Sequence, residues 1–151
     1  MAILPIVIGP DNPILRKKTK PVSKVTKELR KLIKDMIDTM HEANGVGLAS
    51  PQVARTERIC IAVMGGKVTP LINPKITGRS KETAVDQEGC LSLPNVWLDI
   101  TRPVGITVTY LDVKGKKQQR KLLKFDARVV QHEVDHLEGV LIVDYAARAD
   151  A

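Results

Sequence analysis

The chain has 151 residues, of which 43% are hydrophobic and only 3% aromatic, and 24 Lys and Arg against 17 Asp and Glu give a formal charge of +7. This length suits one domain with an aliphatic core, and the shortage of rings excludes aromatic stacking platforms for nucleic acid. The chain has only two cysteines, which predicts a reducing, cytoplasmic setting. Its apolar N-terminal stretch has no basic flank, so we expect neither a secretory signal peptide nor a membrane span there.

An amphipathic helix is predicted over residues 23–43. Apolar residues recur there three and four positions apart, with charged residues between them. Ser23 is the expected N-cap and Gly45 the expected stop. The next stretch, GVGLASPQ at 45–52, is expected to be irregular. Its two glycines and Gln52 suggest a backbone that approaches a ligand, although a plain turn after a helix has a similar pattern.

Short β-rich runs follow at 59–64, 68–73, around Ile100, and at 105–110 and 118–125. Their spacing predicts antiparallel strands. A second helix is predicted over 127–137, with Asp126 as its cap and Gly139 as its end. The predicted class is therefore α+β, with antiparallel β-sheets around a central C-terminal helix that carries HEVDH, plus the N-terminal amphipathic helix.

The HEVDH pattern at 132–136 has the spacing of a metal site. Histidines four residues apart lie on one face of a helix and reach one ion, while Glu133 is placed to reach a water on that ion. A chance pattern of solvated or core histidines is the alternative interpretation. A catalytic site also needs a third protein ligand, and no histidine follows His136, so we expect that ligand upstream.

Cys90, within EGCLS at 88–92, is the candidate third ligand. Its thiolate would bind zinc or ferrous iron, and Gly89 removes a side chain that would crowd the approach. Two alternatives stay open. Cys90 is either a small buried residue, as expected for Cys60 in its apolar strand, or the nucleophile of a Cys–His pair.

Three segments in this order resemble the motifs of the peptide deformylase family: GVGLASPQ at 45–52, EGCLS at 88–92 and QHEVDHLEG at 131–139. Further similar segments extend the resemblance over nearly the whole chain, and it implies one catalytic domain over residues 1–151. The implied activity is metal-dependent hydrolysis of the N-formyl group from the N-terminal methionine of newly synthesised polypeptides, with release of formate.

The resemblance also implies roles for individual residues. Three would bind one divalent metal, Fe²⁺ first, with Zn²⁺, Ni²⁺ or Co²⁺ as alternatives: Cys90, His132 and His136. Glu133 would be the general acid and base. The remaining catalytic groups would be Gln52, Gly47 and the backbone N–H of Leu91. The residues expected to contact substrate are Val46, Gly47, Glu88, Arg102, Phe125 and Val129, with Glu88 and Arg102 also paired to fix the Cys90 loop.

The chain differs from the family motifs at a few positions. Ser50 replaces the second alanine of the first family motif, and Asp86 with Gln87 adds polarity beside the expected methionine pocket. The basic clusters are first interpreted as solvated surface. The alternative interpretation of these clusters is attraction to an anionic partner such as RNA, or transient ribosome contact through this basic surface. The resemblance adds formylmethionyl nascent peptides as substrates. We expect a monomer with no DNA or membrane partner, in the cytoplasm or, after removal of a targeting segment, in an organelle stroma or matrix.

Two other functions fit part of the pattern. A zincin-like endopeptidase would use HEVDH without needing Cys90. A catalytically silent RNA- or ribosome-binding module would keep the metal as a structural staple, which requires a fourth protein ligand that the sequence does not obviously offer. The joint presence of Gln52, Cys90 and HEVDH favours the deformylase hypothesis.

Overall fold

A computed structural model of the chain describes residues 2–149. The helices are α1 (Lys27–Glu42), α2 (Lys124–Leu137) and α3 (Ile142–Ala149), with short 3₁₀ turns at Pro13–Arg16 and Ser50–Val53. The strands are β1 (Gly47–Ala49), β2 (Ile59–Met64), β3 (Lys67–Arg79), β4 (Thr83–Cys90), β5 (Leu93–Pro103), β6 (Gly105–Leu111) and β7 (Lys117–Leu123). Within this range, no helix is long and apolar enough to cross a membrane.

The strands of residues 2–149 form two antiparallel sheets. Five of them make one sheet in the order β1-β2-β3-β6-β7, and β4 pairs with β5 in a separate hairpin. The predicted α+β class, with antiparallel sheets around the C-terminal HEVDH helix, is confirmed.

Strand β2 lies between the two main helices. Cys60, Ala62 and Met64 belong to the apolar cluster that includes α2, whereas Ile59 and Ile61 belong to the cluster that includes α1. Because both faces of β2 are buried, its sequence is a continuous apolar run rather than an alternating one. Helix α2 is thus held between the larger sheet and the β4–β5 hairpin, which is where the metal motif lies.

The ends of helix α1 differ from the prediction. Its N-cap is Thr26, whose hydroxyl accepts a hydrogen bond from the Leu29 N–H at 3.1 Å, so Ser23 was the wrong residue. At the other end the left-handed residue is Asn44, with φ of 56°, rather than Gly45. Asparagine tolerates this conformation after a helix, which explains why the helix ends before the glycine.

Further parts of the fold also differ from the prediction. The hairpin β4–β5 was represented only by Ile100, because β4 is exposed and polar along most of its length and has no apolar alternation. Residues 45–52 are not irregular but contain β1 and a 3₁₀ turn. Helix α2 begins at Lys124, so Phe125 lies in its first turn and not in a strand, and α3 was not predicted.

Candidate metal centre

Two elements bring the three predicted ligands together. Cys90 ends β4, where a bulge interrupts the pairing with β5, and His132 and His136 lie one turn apart on α2. The ligand atoms of all three lie within 4.8 Å of one another, and Cys90 Sγ is 3.3 Å from His136 Nε2. One ion can therefore contact all three side chains.

The donor set fits a divalent transition metal. It combines one sulfur with two imidazole nitrogens, which suit zinc or ferrous iron. His132 Nδ1 lies 2.9 Å from Glu88 Oε1, which leaves its Nε2 for the ion, a common way for proteins to orient a histidine ligand. In the described part of the chain the cluster contains three candidate ligands, so a coordination position stays open for water or substrate.

The charges around His132 also suit a cation. Burial lowers the pKa of His132, but the charge of Glu133 and hydrogen bonds to Cys90 and Glu88 raise it to about 10. Burial and the charge of His132 instead lower the pKa of His136 well below its ordinary value. Glu133, Cys90 and Glu88 therefore favour positive charge at His132, whereas His136 is held neutral, the form in which an imidazole binds a metal.

Glu133 lies beside the ligands on α2 and is 5% exposed. Burial raises its pKa to about 7, although the neighbouring charge of His132 opposes this. Among the described residues, its Oε1 atom is buried and has no hydrogen-bond partner. A carboxyl group with these properties is suited to accept a proton and return it near neutral pH.

Gln52 is 2% exposed, and its amide is oriented by the chain around it. The Ala49 N–H donates to Gln52 Oε1 at 2.9 Å, which turns the amide nitrogen of Gln52 toward the candidate metal ligand Cys90. Nε2 donates to Ser92 Oγ at 3.2 Å and lies 3.7 Å from Cys90 Sγ. A donor is thus presented beside the metal ligands, as an oxyanion site requires.

Gly47 lies against the carboxylate of Glu133. A Cβ atom at this position would be only 2.3 Å from Glu133 Oε2. Any larger residue would have to displace the carboxylate, which explains the glycine in the first motif.

We therefore expect Gly47→Ala to lower kcat by about a hundredfold, the order of loss caused by a displacement of about 1 Å at a reacting group. Steady-state kinetics would measure this, together with metal content and the melting temperature. Gly78→Ala is the matched control, because its Cβ would make an ordinary 3.5 Å contact with Thr107. Unchanged kcat in Gly47→Ala would contradict a role for Gly47 in placing Glu133.

A buried ion network supports His132. Glu88 and Arg102 are 7% and 3% exposed, and the two guanidinium–carboxylate contacts between them measure 2.6 and 2.9 Å. The sequence predicted this pair but missed Arg128, whose Nη1 donates to Glu88 Oε2 at 2.6 Å. Burial raises the pKa of Glu88, but His132 and Arg102 lower it to about 2. Glu88 therefore carries a charge shared by two arginines and a histidine.

The network continues to helix α3. Arg102 Nη1 donates to Asp135 Oδ2 at 2.9 Å, and the Tyr145 hydroxyl donates to the same oxygen at 2.6 Å. The Arg102 guanidinium carbon also lies 4.9 Å from the centre of the Tyr145 ring. Neither Asp135 nor Tyr145 was predicted, because only the fold brings them to Arg102.

Tyr145→Phe keeps the ring and removes the hydroxyl. We expect the free energy of unfolding to fall by about 1 to 3 kcal/mol, because the hydroxyl donates to Asp135 and also accepts a hydrogen bond from Arg102. Metal affinity should fall by less than about tenfold, because Tyr145 acts on His132 only through Arg102 and Glu88. Urea denaturation and competition with a chelator measure the two effects. Tyr110→Phe, in the core on β6, is the control. If the two variants lost the same stability and the same metal affinity, Tyr145 would not be connected to His132 through Arg102 and Glu88.

A cavity of about 490 Å³ opens in front of the ligands, between β1, the β4–β5 hairpin and α2. The predicted site residues line it, with two exceptions. His136 is 1% exposed and lies behind the other ligands, and Arg102 is 3% exposed with its guanidinium bound to Glu88 and Asp135. Arg102 is thus placed to support the site rather than to contact substrate.

The cavity walls combine predicted and unpredicted residues. Val129 is 5% exposed on α2, whereas Val46 and Phe125 are 45% and 56% exposed at the mouth. Trp97 of β5 also lines the cavity and is 64% exposed. The sequence did not predict Trp97 in the cavity wall, because a tryptophan in a strand is ordinarily a core residue and nothing in the sequence indicated that this one is exposed.

Comparisons with known proteins agree with this geometry. A family model described as Polypeptide deformylase matches residues 3–151. A peptide deformylase of Synechocystis is 46% identical over 136 residues, which cover 87% of this chain and 73% of that protein. The crystal structure of peptide deformylase from Thermotoga maritima has a TM-score of 0.92 at 42% identity, over 96% of this chain and 98% of that one.

A second solved structure is the Met-Ala-Ser-bound class I type b peptide deformylase from Acinetobacter baumannii. It has a TM-score of 0.91 at 34% identity, over 95% of this chain and 98% of that one. The resemblance seen in the three motifs is thereby confirmed over almost the whole length. The chain belongs to the peptide deformylase family and is a hydrolase that removes the formyl group from an N-terminal methionine.

Proposed function

We propose that deformylation takes place at the cluster of Cys90, His132 and His136, with Glu133 as the group that moves the proton. The observation that supports this most strongly is the convergence of three ligand atoms within 4.8 Å at the wall of the cavity, next to a buried carboxyl group. The open coordination position argues against a purely structural metal.

We infer that these three side chains hold one divalent ion, Fe²⁺ in first place, with Zn²⁺, Ni²⁺ or Co²⁺ as alternatives. When bound, the ion supplies a Lewis acid that polarises the formyl carbonyl and acidifies water. The thiolate of Cys90 makes the site softer than one with three histidines, which suits zinc as well as ferrous iron.

The side chains around the ion carry the proton and the developing charge. Glu133 takes a proton from the water whose oxygen attacks the formyl carbon. As that carbon becomes tetrahedral, the Gln52 amide and the Leu91 N–H donate hydrogen bonds to the formyl oxygen, each contributing about 3 to 4 kcal/mol. The C–N bond then breaks, and Glu133 returns its proton to the leaving amine, so that formate and a free N-terminus remain.

The substrate backbone is proposed to lie between two strand edges. Across residues 2–149, β1 ends the larger sheet and β4 pairs with β5 alone, and both strands line the cavity. Free strand edges bind extended peptides through main-chain hydrogen bonds. The methionine side chain would then contact Val46, Phe125 and Val129. The Acinetobacter relative, which holds Met-Ala-Ser, supports a site of this peptide length.

We infer a domain organisation, an assembly and a location from the sequence. Residues 1–151 form one catalytic domain, although positions 1, 150 and 151 lie outside the described residues. The protein works as a monomer in the cytoplasm, or in an organelle stroma or matrix after a targeting segment is removed. Its basic surface, with a formal charge of +7 overall, supports transient ribosome contact.

Formate release from formyl-Met-Ala-Ser tests the proposed site. Anaerobically purified protein loaded with iron or nickel should turn this peptide over, and Cys90→Ser should lower both metal content and turnover. Failure of the iron- and nickel-loaded protein to release formate would overturn the proposal. If Cys90→Ser kept its metal and the protein cleaved unformylated peptides, a zincin-like endopeptidase would be favoured instead.

A further inference from the structure

Trp97 reaches across the strand that carries Cys90. It pairs with Gly89 in the β4–β5 hairpin, one residue before the proposed ligand. A Cβ atom at Gly89 would lie 2.5 Å from Trp97 Cζ3, so the indole occupies the space above this glycine. The ring nevertheless stays 64% exposed and lines the cavity. An aromatic ring packed over a strand glycine therefore faces the substrate space directly.

The hairpin has two different faces. Glu88 and Arg102 are buried on the face that packs toward α2, where they support His132. Side chains alternate along a strand, so Trp97 and the exposed Gln87 share the opposite face. Gln87 is diagonal to Trp97 across the pair, a separation that an aromatic side chain can bridge.

The position of Trp97 relative to a peptide follows from the same alternation. An extended substrate along the free edge of β4 would direct its methionine toward Phe125 and Val129 on α2. The next side chain must then point to the other face, which is the face of Trp97. Gly89 has no side chain, so at the β4 position paired with Trp97 no side chain separates the ring from that substrate residue.

We propose that Trp97 is a specificity-determining residue, whose ring contacts the second residue of the formylated peptide and favours aromatic and large apolar side chains there. The proposal rests on the proposed function, since it places the peptide at the same metal site. Ring–ring contacts of this kind correspond to a preference of about threefold to tenfold in kcat/KM.

Kinetics on formyl-Met-X-Ser peptides test the assignment, with Phe, Leu, Ala or Asp at X. Wild-type protein should prefer Phe over Ala by about threefold to tenfold. Trp97→Ala should bring this ratio close to one, and Trp97→Phe should restore part of it. The control is Val85→Ala, which changes a residue 63% exposed on the same face but outside the cavity lining; it should keep the wild-type ratio.

Fluorescence gives a second readout that does not depend on turnover. Trp97 is the single tryptophan of the chain, so all indole emission reports on it. Titration with the product Met-Phe-Ser should shift the emission to shorter wavelength, and Met-Ala-Ser should shift it less.

Two results separate the possible failures. Turnover of every peptide with no dependence on X, or a dependence that Trp97→Ala keeps, would overturn the role of Trp97 and leave the proposed function standing. Absence of formate from all peptides with the metal-loaded wild-type protein would instead overturn the proposed site itself.

Discussion

Replacing Glu133 by Gln is expected to lower kcat/KM for a formylated peptide by about a hundredfold to ten-thousandfold, the range of general acid–base catalysis. The amide keeps the size and shape of the carboxyl group but cannot take a proton from water or return one to the leaving amine. Glu133 is not one of the three ligands, so the variant should keep its metal. The loss should therefore appear in kcat at wild-type metal content.

The measurement combines steady-state deformylation with metal analysis of the same sample. Glu138→Gln is the matched control, since Glu138 follows the same helix and makes an exposed ion pair with Arg58. It should keep both turnover and metal. If Glu133→Gln retained near wild-type kcat, another group would have to move the proton. If it lost its metal, Glu133 would belong to the ligand set.

The residues that we propose for the chemistry could be named from the sequence because the constraints on them are local. His132, Glu133 and His136 follow from helical spacing alone, and the class of fold follows from the order of apolar periods along the chain. Cys90 needed a different argument, namely that a metal with two protein ligands requires a third. Its place at the end of β4 could not be foreseen, because that strand is too polar to recognise.

The residues that hold the site in place were harder to predict because their contacts are distant in sequence. Arg128 contacts Glu88 from 40 positions away, and Tyr145 contacts Arg102 from 43. Charged residues on a helix are ordinarily solvated, so Arg128 gave no sign of being buried. Trp97 shows the reverse case, an apolar residue that the fold leaves exposed because Gly89 lets its ring cross the strand.

Glu88→Gln is the second variant with a large expected effect, and the effect lies first in stability. Arg102 and Arg128 are 3% and 9% exposed and share the charge of Glu88. The amide leaves these cations without their shared counter-ion, and its NH₂ group faces donors. We expect the free energy of unfolding of the metal-free protein to fall by about 3 to 5 kcal/mol, as when one partner of a buried ion pair is removed.

Metal affinity should fall as well, because His132 loses the carboxylate that orients its ring. A partner of this kind is worth about tenfold to a hundredfold in affinity. Urea denaturation of the metal-free protein and chelator competition below the melting temperature separate the two effects. Glu57→Gln provides the control, since Glu57 pairs with the half-exposed Arg55 and should cost less than about 1 kcal/mol. A Glu88→Gln variant no less stable than this control would show that the buried arginines do not depend on Glu88, and that Asp135 at Arg102 and the carbonyl groups of Ile100 and Ala84 at Arg128 are sufficient.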